Sequence, residues 1–111
     1  MKTGIKIVLA LLLICMTITA QKSEPGPNIE VNAVKKVAPI YPPLAKRKRV
    51  EGKVIVWLEV HSDGSVGGIE FLEGNALFKP SSLEAAKQWV FQKSSGGMTG
   101  HITFRFQLEE Q

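Results

Sequence analysis

One cysteine, Cys15, is all the sequence contains. It lies in an N-terminal stretch laid out for removal, so the mature chain is expected to carry no disulfide, no thiolate nucleophile and no thiolate metal site. Histidine is nearly as scarce. His61 and His101 are the two present, each beside an expected strand end, and neither has a second ligand at metal-binding spacing. A strong charge of one sign is also lacking. Without Lys2 and Lys6 the 14 basic residues fall to 12 against 10 acidic ones, a net of +2. That bias is too small to argue for nucleic acid.

The absences extend to catalysis. His61-Ser62-Asp63 holds the residue types of a hydrolytic triad, but consecutive residues on a turn point apart, and triads are assembled in space from separate segments. Asp63 is read instead as a turn former. Residues 64–68 are glycine-rich but lead into a strand, where a phosphate cradle would lead into a helix N-terminus. A chain of 111 residues is expected to form one domain. A domain of that size buries only about 60–65% of its unfolded surface, which leaves little room for a deep active site. The expectation is a binding domain without enzyme activity, cofactor or metal.

Much of the hydrophobic content is concentrated in the first twenty residues. Lys2 and Lys6 supply a positive n-region, residues 7–16 an unbroken apolar run, and Ala20 a small residue with Ile18 two positions before it. This is the layout of a signal peptide over residues 1–20, with cleavage expected between Ala20 and Gln21. The alternative is a retained membrane anchor, although residues 5–20 fall short of the roughly 20 needed to span a bilayer. Ile14, directly before Cys15, argues against lipidation. Residues 21–38 read as a linker that includes Glu24-Pro25-Gly26-Pro27-Asn28. Fully extended, it would reach about 60 Å at most.

From residue 39 to 111 the chain reads as a folded domain. Pro43 suits a first helical turn, so residues 43–49 are expected to form a short helix ended by Glu51-Gly52. Val54, Val56, Leu58 and Val60 alternate with Ile55 and Trp57 over residues 53–61, which marks a central strand. Asp63-Gly64 follows as a hairpin turn in which both residues tolerate positive φ. The return strand covers residues 65–72, and Gly67-Gly68 suggests a bulge. Ser81 and Glu84 match a capping box. They introduce a helix over residues 82–91 whose apolar stripe is Leu83, Ala86, Trp89 and Val90. Residues 94–100 read as a loop and residues 101–109 as the last strand.

The fold expected is α+β, a two-layer sandwich. It has a three-stranded antiparallel sheet in the order second, first, third, a short N-terminal helix and one longer helix packed on the sheet. The last strand then lies at an edge with backbone groups unpaired on one side, where a second copy could pair to give a homodimer. Lys46, Arg47, Lys48 and Arg49 form the one strong charge run. It is either a solvated helix face or a docking patch for an acidic partner or anionic lipid. Trp57 and Trp89 are expected in the core, with Trp57 alternatively covering the sheet face away from the main helix.

Several of these features fall in one order. They are Tyr41-Pro42, Ala45, Glu51-Gly52 leading into Val54 and Val56, Asp63-Gly64 followed by Val66, Ala85-Ala86, and Trp89-Val90-Phe91. In that order and spacing, over about residues 37–109, the chain resembles the C-terminal domain of TonB-type energy transducers. The resemblance implies a periplasmic domain serving TonB-dependent transport. Such domains connect the inner membrane with outer-membrane receptors and grip a short receptor segment, the TonB box, as an added strand. The receiving strand corresponds to His101, Ile102, Thr103, Phe104, Arg105, Phe106, Gln107 and Leu108. The neighbouring segment corresponds to Ala38, Pro39, Ile40, Tyr41 and Pro42. The sequence departs from the family pattern in four places. Residues 1–20 lack the coupling histidine of such anchors, and the linker holds only Pro25 and Pro27 where the family has a long proline-rich spacer. Ala38 stands where a Gln is common, and Gln92-Lys93 where a Pro is common. Two alternatives therefore stand beside the stand-alone domain: a minimal transducer anchored by residues 5–20, and a small secreted inhibitor or accessory subunit of an envelope protein.

Overall fold

The computed structural model describes residues 24–109; residues 1–20, where the signal peptide or anchor is expected, lie outside them. The chain enters through a 3-10 turn (Glu30–Asn32) and a short strand β1 (Ala33–Lys35), then helix α1 (Pro43–Arg47). Strands β2 (Gly52–Val60) and β3 (Val66–Glu73) follow. A second 3-10 turn (Ala76–Phe78) runs into helix α2 (Lys79–Lys87), then come a two-residue strand β4 (Val90–Phe91) and strand β5 (Met98–Phe106). Among the described residues no helix is long and apolar enough to cross a membrane.

The alternation in β2 sets the architecture. Val54, Val56, Leu58 and Val60 are buried on one face, while Ile55 and Trp57 are half-buried on the other. β2 pairs antiparallel with β3 on one side and with β5 on the other, giving a three-stranded sheet in the order β3-β2-β5. These are the second, first and third of the long strands read from the sequence. Opposite Leu58 and Val60 the partners are Ile69 and Val66, so the extra residue falls at Gly67-Gly68, a bulge in β3. Ile102, Phe104 and Phe106 of β5 complete the buried face.

Helix α2 covers that face with small residues. Ser82, Ala85 and Ala86 are buried, which lets the helix lie close to the sheet. Two aromatic groups close the ends of the core. Phe78 stacks on Phe106 with ring centroids 4.0 Å apart, and Tyr41 meets both edge-on. Trp89 packs against Phe91 and Phe104. Its indole N–H donates to the Val37 carbonyl at 2.8 Å, fastening the chain that leads into α1.

Several sequence expectations are corrected. The long helix spans Lys79–Lys87 rather than 82–91. Pro80 lacks an N–H and fits the first turn, so the helix starts ahead of Ser81. The Ser81 hydroxyl bonds the Phe78 carbonyl at 3.3 Å and caps nothing. Asn75 does the capping one turn earlier, accepting from the Leu77 N–H at 2.9 Å. Val90 belongs to β4, which pairs with β1 in a second, two-stranded sheet, and is partly exposed. β5 begins at Met98, inside the stretch read as a loop, because Met98, Thr99 and Gly100 pair with Val60, Glu59 and Leu58. Residues 27–35, within the stretch read as linker, pack on the domain: Ile29 is in the core, and β1 is zipped to β4.

The turn after β2 differs in kind from the expected one. Gly64 alone has positive φ, 92°, and its N–H bonds the His61 carbonyl at 2.9 Å. This is a turn closed by a left-handed glycine, with Asp63 held in ordinary conformation. The Gly64 carbonyl accepts the Phe91 N–H at 2.8 Å, tying the hairpin to β4. A Cβ on Gly64 would stand 2.0 Å from the Phe91 carbonyl oxygen. Gly64→Ala is therefore expected to destabilise the domain by at least about 2 kcal/mol, through strain and the broken tie. Urea unfolding checks this. A midpoint that does not move would mean that the turn and β4 are not coupled.

Candidate functional site

In an antiparallel ladder, alternate residues turn their N–H and C=O toward the partner strand and the others turn them away. The pairing of β2 with β5 runs without a register break from Gly52↔Phe106 to Val60↔Met98. His101 makes its main-chain bonds on the side away from β2, so by parity Thr103 and Arg105 also turn their backbone groups outward. Ile102, Phe104 and Phe106 spend theirs on β2, and their side chains are in the core. Of the residues expected to receive a partner strand, His101, Thr103 and Arg105 thus carry the outward-facing backbone. Gln107 and Leu108 lie just past the strand end, and the Leu108 N–H is held by the Glu51 carboxylate at 3.0 Å.

The edge is occupied over part of its length. The His101 N–H donates to the Pro27 carbonyl at 2.9 Å, and the Ile29 N–H donates to the His101 carbonyl at 3.1 Å. Together they form a parallel bridge between Asn28 and His101. The Thr103 N–H reaches the Glu30 carboxylate at 3.3 Å. Beyond that point, among the described residues, the outward N–H and C=O of Arg105 have no hydrogen-bond partner. Pro27, Asn28, Ile29 and Glu30 were missed in reading the sequence, because they sit among breaker residues. The one local hint is Asn28, whose side chain accepts the Glu30 N–H at 2.9 Å in a small turn.

The segment 38–42 is divided by the fold. Tyr41 lies at the C-terminal end of β5, where a surface recess of about 480 Å³ is lined by Tyr41, Lys46, Arg49, Gln107, Leu108 and Glu109. Ala38 and Ile40, both exposed, instead border a separate recess shared with Ser81 and Glu84 of α2 and with Gln88 just past its end. Pro42 is the residue before α1 and Pro39 is half-buried. Of the basic run, Lys46 and Arg49 border the recess at the end of β5, while Arg47 and Lys48 are exposed outside it. Arg49 has a φ of 54°, which reverses the chain after α1 and lets the Val50 N–H bond the Ala45 carbonyl at 2.9 Å.

The groups that resembled chemistry are tied up in structure. Asp63 accepts the Ser65 hydroxyl at 2.6 Å and the Ser65 N–H at 3.0 Å. These bonds, the hydroxyl foremost, hold its carboxyl below the ordinary aspartate range. Trp57 stands on the sheet face away from α2, across from His101.

The family model described as the Gram-negative bacterial TonB protein C-terminal matches residues 37–110. Protein TonB of Klebsiella pneumoniae is 30% identical over 78 residues, covering 68% of this chain and 32% of that protein. Protein TonB of Xanthomonas campestris is 30% identical over 75 residues, covering 66% of this chain and 34% of that protein. The chain thus spans about a third of the length of these curated relatives. The solution NMR structure of the Pseudomonas aeruginosa TonB C-terminal domain matches with a TM-score of 0.59 at 26% identity, over 71% of this chain and 87% of that one.

Tyr41 is the only tyrosine, and its hydroxyl donates to the Val50 carbonyl. Burial of the half-exposed ring pushes its pKa up, Glu51 adds to the shift and Arg49 opposes it. With the folded pKa above the unfolded one, the contribution of the neutral hydroxyl is intact below the unfolded value. It is lost as pH rises through the folded value. Tyrosinate absorbance is expected to appear above the ordinary titration range near pH 10. Tyr41→Phe is expected to lower the urea midpoint at neutral pH and to remove this component of alkaline destabilisation. A normal titration midpoint would show the hydroxyl to be solvated.

Proposed function

The chain belongs to the family of Gram-negative bacterial TonB C-terminal domains, and on that premise we propose that it is a periplasmic protein-binding domain. It pairs an extended, TonB-box-like segment of an outer-membrane receptor along the outer edge of β5, in the service of TonB-dependent transport. The observation that carries this reading is the edge at Arg105, whose backbone donor and acceptor face away from β2 and have no partner among the described residues. Such an edge is completed by an added strand, with main-chain bonds providing affinity and side-chain pockets providing selectivity. Lys46 and Arg49 border the recess at the strand's end. They would favour a partner with a carboxylate there.

The test is a titration of the folded domain with a synthetic peptide carrying a receptor TonB box, followed by amide shifts. Shifts are expected at Thr103, Arg105 and Gln107. None at millimolar peptide would sink the edge-binding reading. Arg105→Pro removes an outward donor without costing β2 a bond, a position where proline is tolerated. It is expected to weaken the peptide tenfold or more while leaving the fold intact. Export by residues 1–20 has its own check, the mass of the native N-terminus. A chain beginning at Gln21 fits a free periplasmic domain, whereas an intact N-terminus would favour the anchored transducer.

A further inference from the structure

The half of the β5 edge that residues 26–30 cover is built to receive them. Gly100 faces the core side of the sheet, and a Cβ placed there would lie 2.4 Å from the Pro27 carbonyl oxygen and 2.5 Å from the Ile29 Cγ2. The missing side chain is the space into which Ile29 drops, and Ile29 is 4% exposed. Around it the segment makes two main-chain bonds with His101, and the His101 ring Nδ1 lies 3.0 Å from the Gly26 carbonyl oxygen. The Glu30 carboxylate is shared between the Thr103 N–H and the Asn28 side-chain amide, each at 3.3 Å. A strand arriving along the whole of β5 needs the same His101 groups and the same space over Gly100.

We propose that residues 26–30 form an intramolecular clasp, a built-in competitor that holds the His101 end of the edge and leaves it when a partner strand pairs along the full length of β5. The identity of the displacing strand rests on the reading above; the clasp itself does not. The exchange constrains the partner's chemistry. To replace what the clasp gives up, the incoming segment needs a free N–H facing the His101 carbonyl, so no proline at that position. It also needs an apolar side chain to fill the space vacated by Ile29. Where only the unclasped fraction can bind, the apparent affinity falls by that fraction.

Three full-length chains test this: the native one, Ile29→Asp, which removes the plug and leaves the edge intact, and Ile29→Asp with Gly100→Ala, which also fills the space. The first probe is a synthetic peptide of residues 24–32 of this chain. It is expected to bind Ile29→Asp with amide shifts at His101 and Thr103, and to bind neither of the others. The second is the receptor TonB-box peptide, expected to bind Ile29→Asp roughly tenfold to a hundredfold more tightly than the native chain. Equal binding of the 24–32 peptide to the native chain and Ile29→Asp would overturn the clasp. So would its failure to bind Ile29→Asp while the β2–β5 amides remain protected. If the 24–32 peptide discriminates and the receptor peptide binds nothing, the clasp stands and the edge-binding reading falls. Should Ile29→Asp not fold, amide exchange in the native chain decides. The Ile29 and His101 amides are expected to exchange together and well before Ile102; exchange of all three at one rate would show the segment to be permanent core.

Discussion

Both edges of β2 are hydrogen-bonded, and the rest of the domain follows from that. With β3 on one side and β5 on the other, the sheet has two outer edges. The hairpin through Gly64 uses one end of the sheet, and α2 must cross the face that Val54, Val56, Leu58 and Val60 leave apolar. That crossing delivers the chain to the far side of β2, so β5 cannot avoid being an edge strand. Small residues on α2 keep the helix low, and the Phe78, Phe106 and Tyr41 rings fill the space at its N-terminal end.

Period-two alternation made β2 and β5 legible, because their buried faces are continuous. The glycine pair at 67–68 was legible as a bulge for the same reason that it disturbs a strand pattern. Local rules failed where two of them competed. Ser81 and Glu84 satisfy the capping-box spacing, but Pro80 fits a first turn better, and the helix took the proline's register. Trp89, Val90 and Phe91 look like the end of an apolar helical stripe. They leave the helix because Trp89 finds the Val37 carbonyl and Phe91 finds Gly64, partners 52 and 27 positions away in the chain.

The candidate site was legible as an edge but not as a partly occupied one. Edge status follows from strand order, which patterns of hydrophobicity can suggest. Occupancy of that edge by residues 27–30 depends on one apolar side chain, Ile29, in a polar, proline-containing stretch, and on one glycine, Gly100, at the far end of the chain. Neither residue announces itself locally; the pair is meaningful only when brought together. Similarly, Tyr41 and Ile40 are sequence neighbours, yet one borders the recess at the end of β5 and the other, largely exposed, borders a different recess beside α2.

The pairing of β1 with β4 has a kinetic consequence. Ala33 and Lys35 are fixed to Phe91 and Val90, so the segment ending at Glu30 is moored by a tether only two residues long. A short tether keeps a released segment at millimolar or higher effective concentration near its own site. It does not have to find the edge by diffusion, so each vacancy is contested at once by a ligand whose supply never runs down. A partner strand would therefore be held only while its own contacts outlast that local competition. On the proposed reading, pairing of β5 with a partner strand would be brief and renewable, timed from within the same polypeptide.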